Sequence, residues 1–155
     1  MDLLPQLEDS VQTLQQRYRG KKLTLIFADI EKCIGEKLPD DFEKRYRQRM
    51  SELFALELKP IPGAHGMLQA INYPCCIASG GPPEKIKQSL HISELAPFFG
   101  DKIFSSYDVG SWKPDPGLFL HAADTMGFSP QNCVVIEDSE VGIMAANAAG
   151  MSALR

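Results

Sequence analysis

The chain has 155 residues, enough for one domain or for a modest core with an appendage. Apolar residues make up 44% and charged residues 23%, the balance of a soluble globular protein. The formal net charge is −4, which argues against a general polyanion surface and so against nucleic acid as a partner.

The first stretch, MDLLPQLEDSVQTLQQ, is acidic at its start and lacks the basic and apolar regions of a secretory signal. Leu7, Val11, Leu14 and Tyr18 fall at helical spacing there. LTLIFADIEKCIG (23–35) then presents an apolar run climbing to Asp29, with Glu31 two residues on, which has the form of a strand carrying a catalytic carboxylate. Its periodicity says otherwise: Leu23, Ile26, Phe27, Ile30, Cys33 and Ile34 follow the stripe of an amphipathic helix. LPDDFEKRYRQRMSELFAL (38–56) opens on Pro39 and Asp40–Asp41, a good helix start, and repeats Phe42, Tyr46, Met50, Leu53 and Phe54 at helical spacing. Its Lys44, Arg45, Arg47 and Arg49 read as a solvated face. KPIPGA (59–64) is the clearest linker.

Beyond it the texture changes. CCIAS (75–79), KIFSS (102–106) and CVVIE (133–137) are short strand-like runs, and PEKIKQSLHIS (83–93), PGLFLHAADTMG (116–127) and VGIMAANAAG (141–150) are helical between and after them. Such alternation predicts βαβ units and a parallel sheet with polar groups at the strand C-termini. The expected division is a helical part at 1–58, a hinge at 59–63 and an α/β part at 64–155. No apolar run approaches the roughly 20 residues that cross a bilayer, so no membrane partner is expected. Cys33, Cys75, Cys76 and Cys133 are expected as buried free thiols, consistent with a reducing cytoplasm. His65, His91 and His121 are scattered and show no zinc-type spacing.

Three stretches carry chemistry. In IASGGPPEKI a strand ends at Ser79, two glycines follow and a helix begins; a hydroxyl and backbone N–H groups there suit an anion, and a plain βα turn is the alternative. In SWKPDPGLF, Lys113 sits between Trp112 and two prolines that fix its exit direction, which suits a charge aimed at phosphate or carboxylate; the alternative is a surface lysine before a Pro-initiated helix. In VVIEDSEVGIMAANAAG, Glu137 and Asp138 end an apolar strand, where hard oxygens suit Mg²⁺; a helix cap at Asp138 or Ser139 is the alternative.

Taken in that order, the Ser, Lys and Glu-Asp motifs resemble those of the haloacid dehalogenase (HAD) superfamily. The wording IEDSEVGIMAANAAGM and SWKPDPGLFLHAADTMG is similar to its β-phosphoglucomutase-like branch of sugar-phosphate phosphatases and phosphomutases. RYRGKKLTLIFADIEKCIGEKLPDDFEKRYRQRM resembles the helical cap of that branch. The implied fold is a Rossmann-like parallel-sheet core, here partial, with an N-terminal helical cap. The resemblance implies that the Ser79 hydroxyl and Gly80 amide bind the transferring phosphoryl group, although Gly80 stands where many relatives carry Asn or Ser. It implies that Lys113 neutralises the phosphoryl oxygens, that Glu137 and Asp138 hold Mg²⁺, and that Arg19 and Lys21 contact a small phosphorylated metabolite, solvated surface charges being the alternative for those two. Family members begin with a strand ending in a DxDGT-like motif, whose first Asp attacks phosphorus and whose second is the general acid. Nothing before residue 20 fits it, and LTLIFADIEKCIG has Lys32 and Cys33 where the Gly-Thr belongs, so Asp29 is not expected to be a nucleophile. The expectation is a HAD phosphatase that is inactive alone; the alternatives are a non-catalytic phosphate-binding remnant or a truncated gene product. Two inner strand edges should be left unpaired, or paired directly, or completed by a partner chain. The strand that relatives place after AAGMSALR should be cut short.

Overall fold

A computed structural model describes residues 9–18 and 21–155. The chain divides into two compact units, Met1–Met50 and Ser51–Arg155.

In the first unit, α1 (Val11–Tyr18) and α2 (Leu23–Ile34) precede α3 (Phe42–Glu57), which runs across the division. LTLIFADIEKCIG is therefore a helix, and its stripe packs as the periodicity requires. Ile30 is buried, and Phe27 meets Phe42 and Tyr46 edge-to-face at 5.2 and 5.6 Å. Gly35, at φ 73°, ends α2 in the left-handed conformation that glycine adopts at no steric cost. The Leu7 end of the first periodic stretch lies outside the described residues.

The second unit opens on the last turns of α3. Gln88 Nε2 donates to Ser51 Oγ at 2.7 Å, and Lys85 Nζ lies 5.3 Å from the centre of the Phe54 ring. After the linker come α4 (Ala64–Ala70), β1 (Ile77–Ser79), α5 (Pro83–Ile92), α6 (Ala96–Phe99), β2 (Ile103–Ser105) and α7 (Ser106–Val109). Then follow α8 (Gly117–Met126), a 3₁₀ turn (Pro130–Asn132), β3 (Val134–Ile136), α9 (Glu140–Ala148) and β4 (Ser152–Leu154). The fold is α/β with parallel pairing, as the alternation predicts.

The sheet falls into two parallel pairs: β1 with β2, in register Ile77↔Ile103 to Ser79↔Ser105, and β3 with β4, Val134↔Ser152 to Ile136↔Leu154. No ladder joins β1 to β3 among the described residues. The Ile77 N–H donates to Lys102 O and the Glu137 N–H to Leu154 O. Backbone groups alternate in direction along a strand, so those of Ala78 face away from β2 and those of Ile136 away from β4. Both free edges border one cluster. Phe119 and Ala123 of α8 and Ala145, Ala146 and Ala149 of α9 carry Ala78 of β1 and Val135 of β3. A second cluster, Ile86, Leu90 and Phe99, covers the other face of β1–β2 through Ile77 and Ile103. The corresponding face of β3–β4 is bare, with Val134, Ile136 and Leu154 about 60% exposed.

Ser152–Leu154 pairs with β3 as a strand of three residues. One expectation needs correction. The cysteines are free but not buried: Cys33 is exposed on α2, and Cys75, Cys76 and Cys133 are half-buried. Cys33 lies at the stripe's margin beside Arg17, whose guanidinium donates to its sulfur at 3.1 Å, and the other three precede the paired part of their strands.

Candidate functional site

Ser79 ends β1 and is half-buried. Its Oγ accepts the Gly81 N–H at 3.1 Å, while Ser105 Oγ, across the register, donates to Gly81 O at 2.7 Å. The βα turn is thus tied down on both sides. This changes the anion cradle expected from IASGGPP. The Gly81 N–H is already used, and Pro82 and Pro83 have none to give. Within the turn itself, the donors left are the Ser79 hydroxyl hydrogen and the exposed Gly80 amide. The buried Ser105, absent from the sequence reading, fixes this turn; its place beside a Gly-Gly turn showed only once the β1–β2 register was known.

The SWKPDP turn is held by Asp115. Its Oδ1 accepts Ser111 Oγ at 2.5 Å and the Gly117 N–H at 2.8 Å, capping α8. The Ser111 bond, with help from Gly117, holds the Asp115 carboxyl below its ordinary range. Lys113 is thereby directed inward: its side chain is only 14% exposed, and its Nζ lies 4.8 Å from the centre of the Phe119 ring.

That ammonium meets Glu137 Oε2 at 2.5 Å. Glu137 follows β3 and is itself 11% exposed. Its second oxygen, Oε1, accepts the Ser139 N–H at 3.0 Å and Ser139 Oγ at 2.7 Å. Ser139 also caps α9 by accepting from the Gly142 N–H. A Cβ at Gly142 would overlap the Glu137 carboxylate, so the glycine is what lets α9 approach. Burial works against this carboxylate. The Lys113 hydrogen bond and the two from Ser139 outweigh it, and the Glu137 pKa falls to about 2. Ser139 and Gly142 are positioning residues; in the sequence alone Ser139 is recognisable only as a helix cap.

The fold therefore brings Lys113 and Glu137 into direct contact, with Asp138 next in the chain and exposed. No hydrogen bond links Ser79 to that pair. Lys21 is exposed in the first unit, where its charge helps to hold Asp29 low. Arg19 lies outside the described residues. Asp29 accepts the Tyr18 hydroxyl at 2.9 Å and Arg17 Nε at 2.8 Å, and Glu31 accepts Lys37 Nζ and the Leu38 N–H. Both acids are consumed within the helical unit.

For Mg²⁺, Glu137 and Asp138 offer hard carboxylate oxygens, while no group of three His, Cys, Asp or Glu side chains assembles among the described residues. Mg²⁺ commonly takes one or two carboxylates and fills its shell with phosphate oxygens and water. The two carboxylates would fit that pattern, and Glu137 also contacts Lys113.

The haloacid dehalogenase-like hydrolase family profile matches residues 2–150. The chain belongs to the haloacid dehalogenase-like hydrolases. It is 38% identical over 137 residues to 6-phosphogluconate phosphatase of Escherichia coli K12, covering 88% of this chain and 62% of that one. A conserved HAD-like protein of Agrobacterium tumefaciens superposes with a TM-score of 0.79 at 31% identity, covering 94% of this chain and 66% of that one. A HAD family hydrolase from Deinococcus radiodurans, whose structure holds phosphate and sodium, gives 0.74 at 27%, covering 96% and 66%. The chain thus spans just under two thirds of the length of these relatives. No helix among the described residues is long and apolar enough to cross a membrane.

Proposed function

We propose that the chain carries the phosphate- and metal-binding part of a Mg²⁺-dependent HAD phosphatase for a small phosphomonoester, a sugar phosphate. The observation that carries this reading is the Lys113–Glu137 contact beside Asp138, at the end of a parallel strand. In it the Ser79 hydroxyl and Gly80 amide hold phosphoryl oxygens, Lys113 neutralises them, and Glu137 and Asp138 bind the ion. When bound, the ion supplies charge stabilisation at the transferring phosphoryl group, and most of what phosphoryl transfer asks of a protein is such positioning and electrostatics. Residues 1–58 serve as the helical cap and 64–155 as the core, with 59–63 as the hinge and Arg19 and Lys21 as substrate contacts. Four free thiols support a cytoplasmic setting; nucleic acid is not a partner in this reading.

These 155 residues bind but do not turn over in this reading, because the carboxylates resembling a nucleophile pair, Asp29 and Glu31, are on a helix and hydrogen-bonded there. Catalytic parts act as a unit, so three motifs do not give a proportionate rate. The open edges of β1 and β3 support a partner chain that adds an extended strand ending in an acidic pair. The test is calorimetry with Mg²⁺ and a sugar phosphate beside an assay with p-nitrophenyl phosphate. Binding without phosphate release is expected. Absence of binding would sink the reading. Phosphate release that Asp138→Asn abolishes would overturn the claim that the chain does not turn over.

A further inference from the structure

Lys113 is the group that would meet a phosphate, yet it is already engaged. Its Nζ contacts Glu137 Oε2 at 2.5 Å, with both side chains largely shielded from water. Glu137 cannot easily swing away. Ser139 grips its other oxygen through both Oγ and N–H, and α9 lies against it at Gly142. Lys113 is similarly confined, with its ammonium over Phe119 and its turn pinned by the Asp115 bonds to Ser111 and Gly117. The pair is neutral as a unit. A phosphate dianion arriving at Lys113 would sit beside a fixed carboxylate and meet little net positive charge.

We infer that Glu137 is a built-in competitor that latches the phosphate site shut, and that a divalent cation opens it by drawing Glu137's charge away from Lys113. This rests on the phosphate site proposed above and adds its regulation. The cation binds Glu137 together with Asp138, cancels the repulsion and leaves Lys113 free to attract the anion. Anion and cation are then positively coupled, and linkage makes the coupling mutual: phosphate strengthens cation binding by the same factor as the cation strengthens phosphate binding. A hydrogen bond to a charged group is worth about 1.5–3 kcal/mol, so releasing Lys113 should change phosphate affinity by about tenfold or more.

The experiment is calorimetric titration of the full chain with inorganic phosphate, in the presence and absence of Mg²⁺. In wild type, saturating Mg²⁺ should raise phosphate affinity about tenfold or more. Glu137→Gln keeps the side-chain shape but removes the competing charge. It should bind phosphate about tenfold or more tightly than wild type without metal, and gain little from Mg²⁺. Glu140→Gln, at the exposed first residue of α9, makes the same change in net charge without touching Lys113 and should have no more than about a twofold effect. Equal metal-free affinities for wild type and Glu137→Gln, or equal gains in Glu137→Gln and Glu140→Gln, would overturn the latch while leaving the phosphate site standing. A wild-type affinity indifferent to Mg²⁺ would do the same, without relying on any variant. Failure of every protein to bind phosphate under either condition would refute the site itself, and the latch with it.

Discussion

Replacing Lys113 with Met keeps the length and apolar stem over Phe119 but strips the cation from a carboxylate that is 11% exposed. Glu137 titrates near 2 in the fold instead of at its ordinary 4.5. Taken at face value, that difference corresponds to about 3 kcal/mol. The site lies close to the surface and Ser139 keeps its share of the carboxylate, so Lys113→Met should cost about 1–2 kcal/mol at pH 7. The sign follows from the depressed pKa. This stabilisation is fully present above 4.5 and is lost as pH falls through about 2. Less than half of it remains at about pH 3. Urea denaturation of both proteins at pH 7, 5 and 3 measures the difference directly. A loss at pH 7 below about 0.5 kcal/mol would show that the pair is a weak surface contact. An equal loss at pH 7 and pH 3 would show that the cost is lost packing, and the electrostatic account would fail.

Gly142→Ala should lower stability by about 1–3 kcal/mol, because the new Cβ must displace the Glu137 carboxylate. The same change at Gly80, where nothing lies within 4 Å of an added Cβ, should be nearly silent; thermal melts of both variants would reveal a comparable cost if the approach of α9 is unimportant. Asp29→Asn should leave phosphate binding unchanged but draw the Tyr18 pKa down from about 12 toward its ordinary 10, since burial and then the Asp29 hydrogen bond hold it up. Ultraviolet titration follows the phenol, and an unmoved Tyr18 would mean that burial alone sets its value.

The helical nature of LTLIFADIEKCIG was legible because a stripe of six apolar positions has only one face on which to pack. The βα alternation was legible for a similar reason, and Gly127 after ADTM ends α8 at φ 79°, as a glycine at a helix end commonly does. Strand extent was not. CCIAS is apolar up to Ser79, yet its ladder begins at Ile77, because pairing depends on what β2 offers opposite. The four-residue α7, capped by Ser105, is too short to show a period. At the site, Ser79, Lys113, Glu137 and Asp138 could each be singled out, since turn residues and acids at strand ends are local signals. That Lys113 and Glu137 engage each other depends on residues 24 positions apart and on a helix close enough to exclude a Cβ. No local pattern encodes such a contact.

The contacts from α5 to Ser51 and Phe54 bear on how the chain would respond to proteolysis. The last turns of α3 pack with the unit that follows the proline-rich linker, so the covalent seam and the packing boundary do not coincide. A protease that nicks Lys59–Gly63 therefore cuts inside one packed body. The two fragments would remain associated through that helix, and a gel under denaturing conditions would register the cut long before a sizing column did.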